Sequence, residues 1–288
     1  MTIQFAYKQL LATLYNLYDD REAANIADWV MEHVTGQNKI NRILNRELPV
    51  STQQRERLQK LSIELATNKP VQYVLNEAWF AGAKLYVNEH VLIPRPETEE
   101  LVAWIANELK KLPNEKQSKI ALLDIGTGSG CIGIALKKQL PAVTITALDI
   151  SASALDVAKR NATDQQVAIT FIEADFLDEK TWKLLPKYDV IVSNPPYIKQ
   201  YEAAHMSKNV VDFEPAIALF VPDEDALVFY RAMGTFAQKH LQESGSIYVE
   251  INEALGEQVI ATFTTLGFTN IEMRKDLQGK DRMIKAVR

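Results

Sequence analysis

The chain has 288 residues, of which 47% are hydrophobic and 24% charged, and its net charge is -5, as in an ordinary globular protein with more than one small domain. No apolar stretch approaches membrane length and no signal peptide begins the chain, so we expect a cytoplasmic protein. The single cysteine, Cys131, excludes an internal disulfide, and with four scattered histidines it predicts no metal site.

The first 75 residues predict a small bundle of helices. Apolar residues recur at helical spacing over residues 7–18 and 23–34, and Gly36 closes the second of these patterns. Ser51 and Gln54 have the spacing of a capping box, which predicts the start of another helix. We therefore expect residues 1–75 to form a separate helical domain.

A basic stretch lies inside this predicted domain. Between Lys39 and Lys60, six basic residues outnumber the acidic Glu47 and Glu56. A run of this kind is most simply a solvated face of the helices. A docking surface for an acidic partner is the alternative, and the sequence leaves it open.

Residues 76–94 predict a β-hairpin that links the helical domain to the rest of the chain, residues 95–288. The hairpin pattern consists of Trp79, Phe80, Leu85 and Val87 around Gly82. The stretch Pro94-Arg95-Pro96 then enters a helix. Glutamates occupy the first turn of that helix and lysines its last turn, an arrangement that the helix dipole is sufficient to explain.

A glycine loop follows the first buried strand of the second domain. The apolar run 120–125 is followed by Gly126, Gly128 and Gly130 and then by a helix, so the backbone can turn tightly and approach a ligand. The spacing G-x-G-x-G differs from the G-x-G-x-x-G of dinucleotide sites. Because Asp124 ends the strand, we expect an acidic group at the mouth of the site, suited to a cationic ligand.

Two further strand ends carry acidic residues. The run 143–148 ends in Asp149, the position from which a carboxylate binds both hydroxyls of a ribose. A short strand over 169–172 leads to Asp175 and Phe176, suited to an adenine amine and the face of its ring. Each acid could instead be a helix cap or a solvated turn. Together the strand ends predict a nucleoside site.

The most specific motif is Asn194-Pro195-Pro196-Tyr197, directly after the apolar strand 188–193. Two prolines cannot continue a sheet ladder, so the backbone must leave the sheet there. The side-chain carbonyl of Asn194 and the backbone carbonyl of Pro195 can each accept an N-H of a planar nitrogen, and Tyr197 can stack on it. The motif predicts methyl transfer to such a nitrogen. A tight proline turn with a capped asparagine is the alternative.

The rest of the chain predicts a covering loop and three more strands. Residues 198–222 have little periodicity and several acids, as a loop over a substrate would. Strands are expected over 246–251, 270–274 and 283–287. Acidic residues outnumber basic ones from residue 76 onwards, which disfavours a nucleic acid substrate.

Several of these motifs, in this order, resemble the HemK/PrmC family of class I methyltransferases. The resemblance rests on Asp124 to Gly130, Asp149, Asn194 to Tyr197, Pro70-Val71-Gln72-Tyr73, Val91 to Glu99, Phe213-Glu214-Pro215 with Ala218-Leu219, and Gly279 to Arg282. It covers the chain from about Pro70 onwards, and the helical segment ahead fits the same layout. One departure is Asn76, where the family would have a glycine.

The resemblance implies an α/β class I fold, with a Rossmann-like seven-stranded sheet whose last strand is antiparallel, behind a helical substrate-docking domain. It implies that S-adenosylmethionine is the cofactor and that the substrate is the glutamine of the Gly-Gly-Gln loop of peptide-chain release factors. We expect a monomer without nucleic acid or membrane partners. A ribosomal protein glutamine, an adenine amine, or a cofactor-binding scaffold without turnover are the alternatives.

The expected site residues follow from these motifs. The catalytic residues are Asn194, Pro195 and Tyr197, and Pro196 joins them in binding the substrate. The residues expected to bind the cofactor are Asp124, Gly126, Thr127, Gly128, Ser129, Gly130, Asp149, Asp175, Phe176 and Asn194.

Overall fold

A computed structural model describes residues 1–288, which form two compact units. Unit 1 contains Met1–Glu77 and Ser207–Phe213, and unit 2 contains Ala78–Met206 and Glu214–Arg288. The helices are α1 (Ile3–Leu14), α2 (Asp20–Thr35), α3 (Lys39–Leu44), α4 (Thr52–Leu65), α5 (Val71–Leu75), α6 (Pro96–Lys110), α7 (Asn114–Gln117), α8 (Cys131–Gln139), α9 (Ala152–Asp164), α10 (Glu179–Trp182), α11 (Lys208–Val211), α12 (Ala216–Leu219), α13 (Val228–His240) and α14 (Gly256–Thr265). The strands are β1 (Ala78–Phe80), β2 (Ala83–Leu85), β3 (Ala121–Ile125), β4 (Thr144–Asp149), β5 (Thr170–Glu173), β6 (Tyr188–Ser193), β7 (Ile198–Lys199), β8 (Phe220–Val221), β9 (Leu241–Glu250), β10 (Thr269–Lys275) and β11 (Asp281–Val287).

Local signals in the sequence set the ends of the helices in unit 1. The Ser51 side chain accepts from the Gln54 N-H, and the Gln54 side chain accepts from the Ser51 N-H, so the predicted capping box of α4 is confirmed. Gly36 ends α2 in the left-handed conformation, with φ 69°. Asn76 ends α5 at φ 54°, a left-handed conformation that asparagine tolerates better than most residues other than glycine.

Apolar side chains from α1, α2, α4 and α5 form a separate core in unit 1. Leu14, Val30 and Leu65 are fully buried there. Only α3 presents most of its apolar residues to the surface: Ile40, Ile43 and Leu44 are 70%, 59% and 77% exposed. Arg42 of the same helix is instead buried and pairs with Asp28 at 2.7 Å.

Unit 2 is built on a seven-stranded sheet in the order β10-β11-β9-β6-β3-β4-β5. Strands β9, β6, β3, β4 and β5 are parallel to one another, and β11 is antiparallel to both β9 and β10. The predicted class I methyltransferase sheet is therefore confirmed. Strand β9 begins at Leu241, five residues before the predicted start, because its first residues pair with the start of β6 at Tyr188.

Side chains alternate between two cores on opposite faces of this sheet. In β3, Leu122 packs into one core, and Leu123 and Ile125 pack into the other. Helices α6 and α8 cover the first face, and α13 and α14 cover the second. No helix of the structure combines the length and apolar character needed to cross a membrane.

The predicted hairpin consists of β1 and β2, which pair in antiparallel fashion and belong to unit 2. Phe80 and Leu85 are buried, whereas Trp79 is 60% exposed. The predicted covering loop, 198–222, contains β7, β8, α11 and α12, and part of it belongs to unit 1. The division of the chain into a helical domain 1–75, a linking hairpin 76–94 and a second domain 95–288 stays a prediction.

Candidate active site

A cavity of about 220 Å³ lies in unit 2 at the carboxyl ends of β3, β4, β5 and β6. The strand order reverses beside β3, because β4 lies on one side of it and β6 on the other. Ligands bind at this kind of switch point in open α/β sheets. The cavity is lined by His90, Val91, Leu92, Ile125, Gly126, Gly128, Leu148, Asp149, Ile150, Ser151, Ala154, Ala174, Asp175, Phe176, Leu177, Ser193, Asn194, Pro195, Pro196, Pro215, Ile217, Ala218 and Phe229.

The glycine loop contributes two of its three glycines to the cavity wall. Gly126 and Gly128 have φ of 69° and 55°, and a Cβ on either would meet no atom within 4 Å. Gly130 has a different role, because a Cβ there would lie 3.1 Å from Ile134 and 3.2 Å from Ala158. It allows α8 to pack closely on α9. Thr127 and Ser129 are buried and, like Gly130, lie outside the lining.

Asp124 lies beneath the glycine loop and not at its mouth, which corrects the position expected from the sequence. Its side chain is fully buried, and its Oδ2 accepts from the Thr127 hydroxyl at 2.6 Å and the Gly133 N-H at 3.2 Å. Its Oδ1 has no hydrogen-bond partner. Burial raises the pKa of Asp124 to about 7. The structure thus shows Asp124 supporting the loop from inside.

Asp149 lies on the cavity wall at the end of β4. Its Oδ2 accepts from the Gly128 N-H at 2.8 Å and its Oδ1 from the Ser151 N-H at 2.9 Å. Burial raises the pKa of Asp149, and these bonds oppose that shift. Ser151, not Asp149, caps α9, because its hydroxyl accepts from the Ala154 N-H. Each carboxylate oxygen keeps acceptor capacity for a ligand.

Asp175 and Phe176 line the same cavity. Asp175 is exposed, and its Oδ1 accepts from the Leu177 N-H at 2.9 Å. Phe176 is buried against Trp182 and Phe236, with ring centroids 5.6 and 5.4 Å away. This packing holds the Phe176 ring in place beside Asp175 at the cavity.

Asn194 is half-buried where the chain leaves β6, and Pro195 and Pro196 follow it along the cavity wall. The Asn194 Nδ2 donates to the Thr98 hydroxyl oxygen at 3.0 Å. The Thr98 hydroxyl in turn lies 2.6 Å from Glu250 Oε2. Glu250 is almost fully buried, and burial raises its pKa while the hydroxyl groups around it lower it.

Tyr197 departs from its expected position. We expected it to stack on a substrate, but its side chain is not part of the cavity lining, and its hydroxyl donates to Glu250 Oε1 at 3.2 Å. Burial and the neighbouring Glu250 raise the pKa of Tyr197, so its hydroxyl stays protonated and donates. Tyr197 therefore braces the proline loop.

The charge of the cavity lining is negative. Asp149 and Asp175 face the cavity, and no lysine or arginine lines it. Arg95, in a chain segment beside the cavity, is held by the buried Glu214 at 2.6 Å, and the other Glu214 oxygen accepts from the Ile93 N-H. Glu214 thereby joins the two segments, 90–95 and 214–218, that flank the cavity. This distribution suits a cationic or neutral ligand better than a phosphate.

Comparison with known proteins agrees with this geometry. A family profile described as "Methyltransferase small domain" matches residues 107–213, and one described as "PrmC N-terminal domain" matches residues 6–75. A release factor glutamine methyltransferase of Flavobacterium psychrophilum is 41% identical over 99% of this chain and 99% of its own length. The chain belongs to the release factor glutamine methyltransferase family. The family member of Bacteroides thetaiotaomicron is 37% identical over 96% of both chains.

A solved structure supports the fold of this family member at greater distance. A methyltransferase from Pyrococcus furiosus matches 82% of this chain and 98% of its own with a TM-score of 0.50 and 15% identity. At that identity the likeness concerns the fold alone. The predicted membership of the glutamine methyltransferase family and its class I fold are both confirmed.

Sequence reasoning missed several residues of the site in this family member. Thr98 and Glu250 were not expected to contact Asn194, and Leu92 and Phe229 were not expected to line the cavity, whereas Ile217 lies in the predicted covering loop. Thr98 belongs to the stretch 91–99, which carries part of the family resemblance and could have indicated a role for it. We explained the glutamates on either side of Thr98 by the helix dipole and did not consider the threonine itself.

Proposed function

We propose that this protein transfers a methyl group from S-adenosylmethionine to the side-chain amide nitrogen of the glutamine in the Gly-Gly-Gln loop of peptide-chain release factors. The observation that carries the proposal is the position of Asn194 and Pro195, which line the acidic cavity together with Asp149. The carbonyl oxygens that would accept the N-H groups of a substrate amide are therefore adjacent to the proposed cofactor site. The family members above are named release factor glutamine methyltransferases, which agrees with this substrate class.

The cavity fits the proposed cofactor in shape and charge. Gly126 and Gly128 leave open space where any other residue would place a Cβ. Asp149 has carboxylate oxygens available for a ribose diol, and Phe176 offers a fixed ring beside Asp175 for an adenine. The negative lining favours a ligand with a net positive charge near its sulfur and ammonium groups.

The chemistry requires an oriented amide more than a base. When bound, the cofactor would supply a methyl group on a positively charged sulfur, and that sulfur would become a neutral thioether as the nitrogen takes the methyl. An amide nitrogen is a poor nucleophile because its lone pair is delocalised. The carbonyl oxygens of Asn194 and Pro195 would hold its two N-H groups and leave the lone pair directed at the methyl. The nitrogen becomes acidic once methylated, so its proton can leave to water.

Unit 1 would bind the body of the release factor. Its helix α3 exposes Ile40, Ile43 and Leu44, which we call the α3 patch. Apolar side chains grouped on one surface suit contact with a protein. Of the basic residues considered as a docking surface, Arg42 is excluded because it is buried against Asp28. We propose the α3 patch, flanked by Lys39 and Arg46, as the docking surface.

Mass spectrometry of a release factor treated with enzyme and cofactor tests the reaction. We expect one added methyl on the glutamine of the Gly-Gly-Gln peptide. Asn194→Ala should lower turnover roughly 100-fold or more, as when one preorganised polar group is removed, and retain most cofactor binding. Leu184→Ser, at a side chain 88% exposed, is the control for handling and folding.

Two outcomes would contradict the proposal. Methylation of a ribosomal protein glutamine or of adenine, with the release factor unmodified, would move the activity to another substrate. Turnover by Asn194→Ala near the wild-type rate would show that the reaction does not depend on amide orientation by Asn194.

A further inference from the structure

The side chains of Asn194, Thr98 and Glu250 form a hydrogen-bonded chain that begins at the cavity wall and continues behind it. Thr98, in the first turn of α6, links Asn194 to Glu250, the last residue of β9. Neither Thr98 nor Glu250 lines the cavity, and both are 1% exposed. Glu250 lies close to Asn194 because β9 pairs with β6 and Val249 lies opposite Ser193. A single side chain, Thr98, therefore connects Glu250 to Asn194.

Counting donors and acceptors along this chain determines which way the Asn194 amide faces. Glu250 accepts at both oxygens, from the Tyr197 hydroxyl at Oε1 and from the Thr98 hydroxyl at Oε2, so the proton of Thr98 points to Oε2, 2.6 Å away. The Thr98 oxygen can then only accept a hydrogen bond from its other neighbour. Asn194 satisfies it with Nδ2 at 3.0 Å, which leaves the Asn194 carbonyl oxygen as the free end of the amide.

The second oxygen of Glu250 holds the other end of the same loop. Glu250 Oε1 accepts from the Tyr197 hydroxyl at 3.2 Å. The buried Glu250 side chain is thus hydrogen-bonded directly to Tyr197 and, through Thr98, indirectly to Asn194. An amide with its ends exchanged has almost the same shape but would turn N-H donors towards the N-H donors of a substrate amide. Packing alone cannot exclude that arrangement, whereas the fixed proton of Thr98 does.

We propose that Glu250 is a positioning residue that, acting through Thr98, holds the Asn194 amide with its carbonyl oxygen towards the substrate nitrogen. The inference rests on the proposed function for the nature of that nitrogen. It assigns a role to a buried acid and a buried hydroxyl that lie outside the cavity lining.

Substitution of Thr98 is the first test. Thr98→Val keeps the shape of the side chain and removes both its donor and its acceptor, whereas Thr98→Ser keeps them. We expect Thr98→Val to lower kcat for release factor methylation at least about 10-fold, because the reacting group is misplaced, with cofactor affinity unchanged. Thr98→Ser should restore most of kcat. Tyr230→Phe is the matched control. The buried Tyr230 hydroxyl donates to the backbone carbonyl of Glu250 and does not hydrogen-bond to the side chains of Asn194, Thr98 or Glu250 that form the hydrogen-bonded chain.

Substitution of Glu250 gives a readout that needs no substrate. In Glu250→Gln, the Tyr197 hydroxyl would retain the amide oxygen as its acceptor, which leaves the new NH2 group facing Thr98. The Thr98 proton would then turn to Asn194, and the Asn194 amide would reverse. Nuclear magnetic resonance of the Asn194 side-chain NH2, assigned with Asn194→Asp, should show changed shifts and faster exchange with water in Glu250→Gln, and no change in Tyr230→Phe.

The two tests separate this inference from the proposed function. Wild-type kcat in Thr98→Val, equal losses in Thr98→Val and Thr98→Ser, or unchanged Asn194 signals in Glu250→Gln would each overturn the positioning role. If Thr98→Val does not fold, the Glu250→Gln spectra decide the question. A wild-type enzyme that fails to methylate release factor, with the spectral change present, would refute the proposed function and leave the positioning role in place.

Discussion

Asp149 accepts a hydrogen bond from the backbone N-H of Gly128 at 2.8 Å, and this bond ties the end of β4 to the glycine loop after β3. The other oxygen is held by the N-H of Ser151, so the carboxylate is oriented before any ligand arrives. Preorientation reduces the entropy that binding must overcome. Two adjacent strand ends therefore act as one preformed surface.

Asp149→Ala should weaken the binding of S-adenosylmethionine. A hydrogen bond to a charged group contributes about 1.5–3 kcal/mol, so we expect a roughly 10- to 150-fold higher Kd in titration calorimetry. Asp156→Ala is the matched control, because that aspartate lies nearby on α9 with its side chain 80% exposed. Equal affinities of wild type and Asp149→Ala would remove Asp149 from the cofactor site.

Gly130→Ala should destabilise the fold more than Gly126→Ala. Both positions have positive φ, which costs an alanine about 1–2 kcal/mol, but only the Cβ at Gly130 would press on Ile134 and Ala158. Overpacking of this kind adds about 1–3 kcal/mol. Urea denaturation measures the difference in the free energy of unfolding. Equal losses for the two variants would show that close packing of α8 and α9 is not the reason for Gly130.

The stability of the protein should depend on the ionisation of Asp124. Its pKa is raised from 3.8 to about 7 by burial, so between pH 4 and 7 the folded state binds a proton that the unfolded state has released. Stability from this group is therefore fully present below about pH 4 and is lost as pH rises through 7. Asp124→Asn cannot ionise, so the difference in unfolding free energy between variant and wild type should shift in favour of the variant as pH rises.

Urea denaturation at several pH values between 4.5 and 7.5 measures this effect. Subtracting the wild-type curve from that of Asp124→Asn removes the contribution of the other buried acids, Asp149, Glu214 and Glu250, whose pKa values are also raised. A difference that stays constant across this range would show that Asp124 does not titrate within it.

The sequence predicted the site where its signals are local. The glycine loop, Asp149 and the Asn194 loop each follow an apolar strand, and parallel strands bring their carboxyl ends to one edge of the sheet. Strand identity therefore sufficed to bring these residues together. The left-handed Asn76 is another local feature, because a single residue type determines whether the turn can form.

Other features depend on contacts between distant parts of the chain. Asp124 has a strand-end position like that of Asp149, and only the helix α8 above it, which places the Gly133 N-H against its carboxylate, makes it a buried support. Thr98 and Glu250 are separated by 152 residues, and neither carries a pattern that names its partner. Burial and pairing of this kind arise from tertiary packing and are not encoded in a single segment.

The α3 patch should contribute to the docking of intact release factor. The double variant Ile40→Ser/Leu44→Ser should raise KM for intact release factor and lower kcat/KM about 10-fold or more, because burying a leucine-sized side chain contributes about 1.5–3 kcal/mol. Its activity on a short Gly-Gly-Gln peptide should be unchanged, and the peptide should be the poorer substrate of wild-type enzyme, since it lacks remote contacts. Leu184→Ser, at a leucine of unit 2 that is 88% exposed, should affect neither substrate. Steady-state kinetics on both substrates decides the matter: equal losses on peptide and intact factor would mean that the patch supports the fold, and no loss on either would leave unit 1 without a docking role at α3.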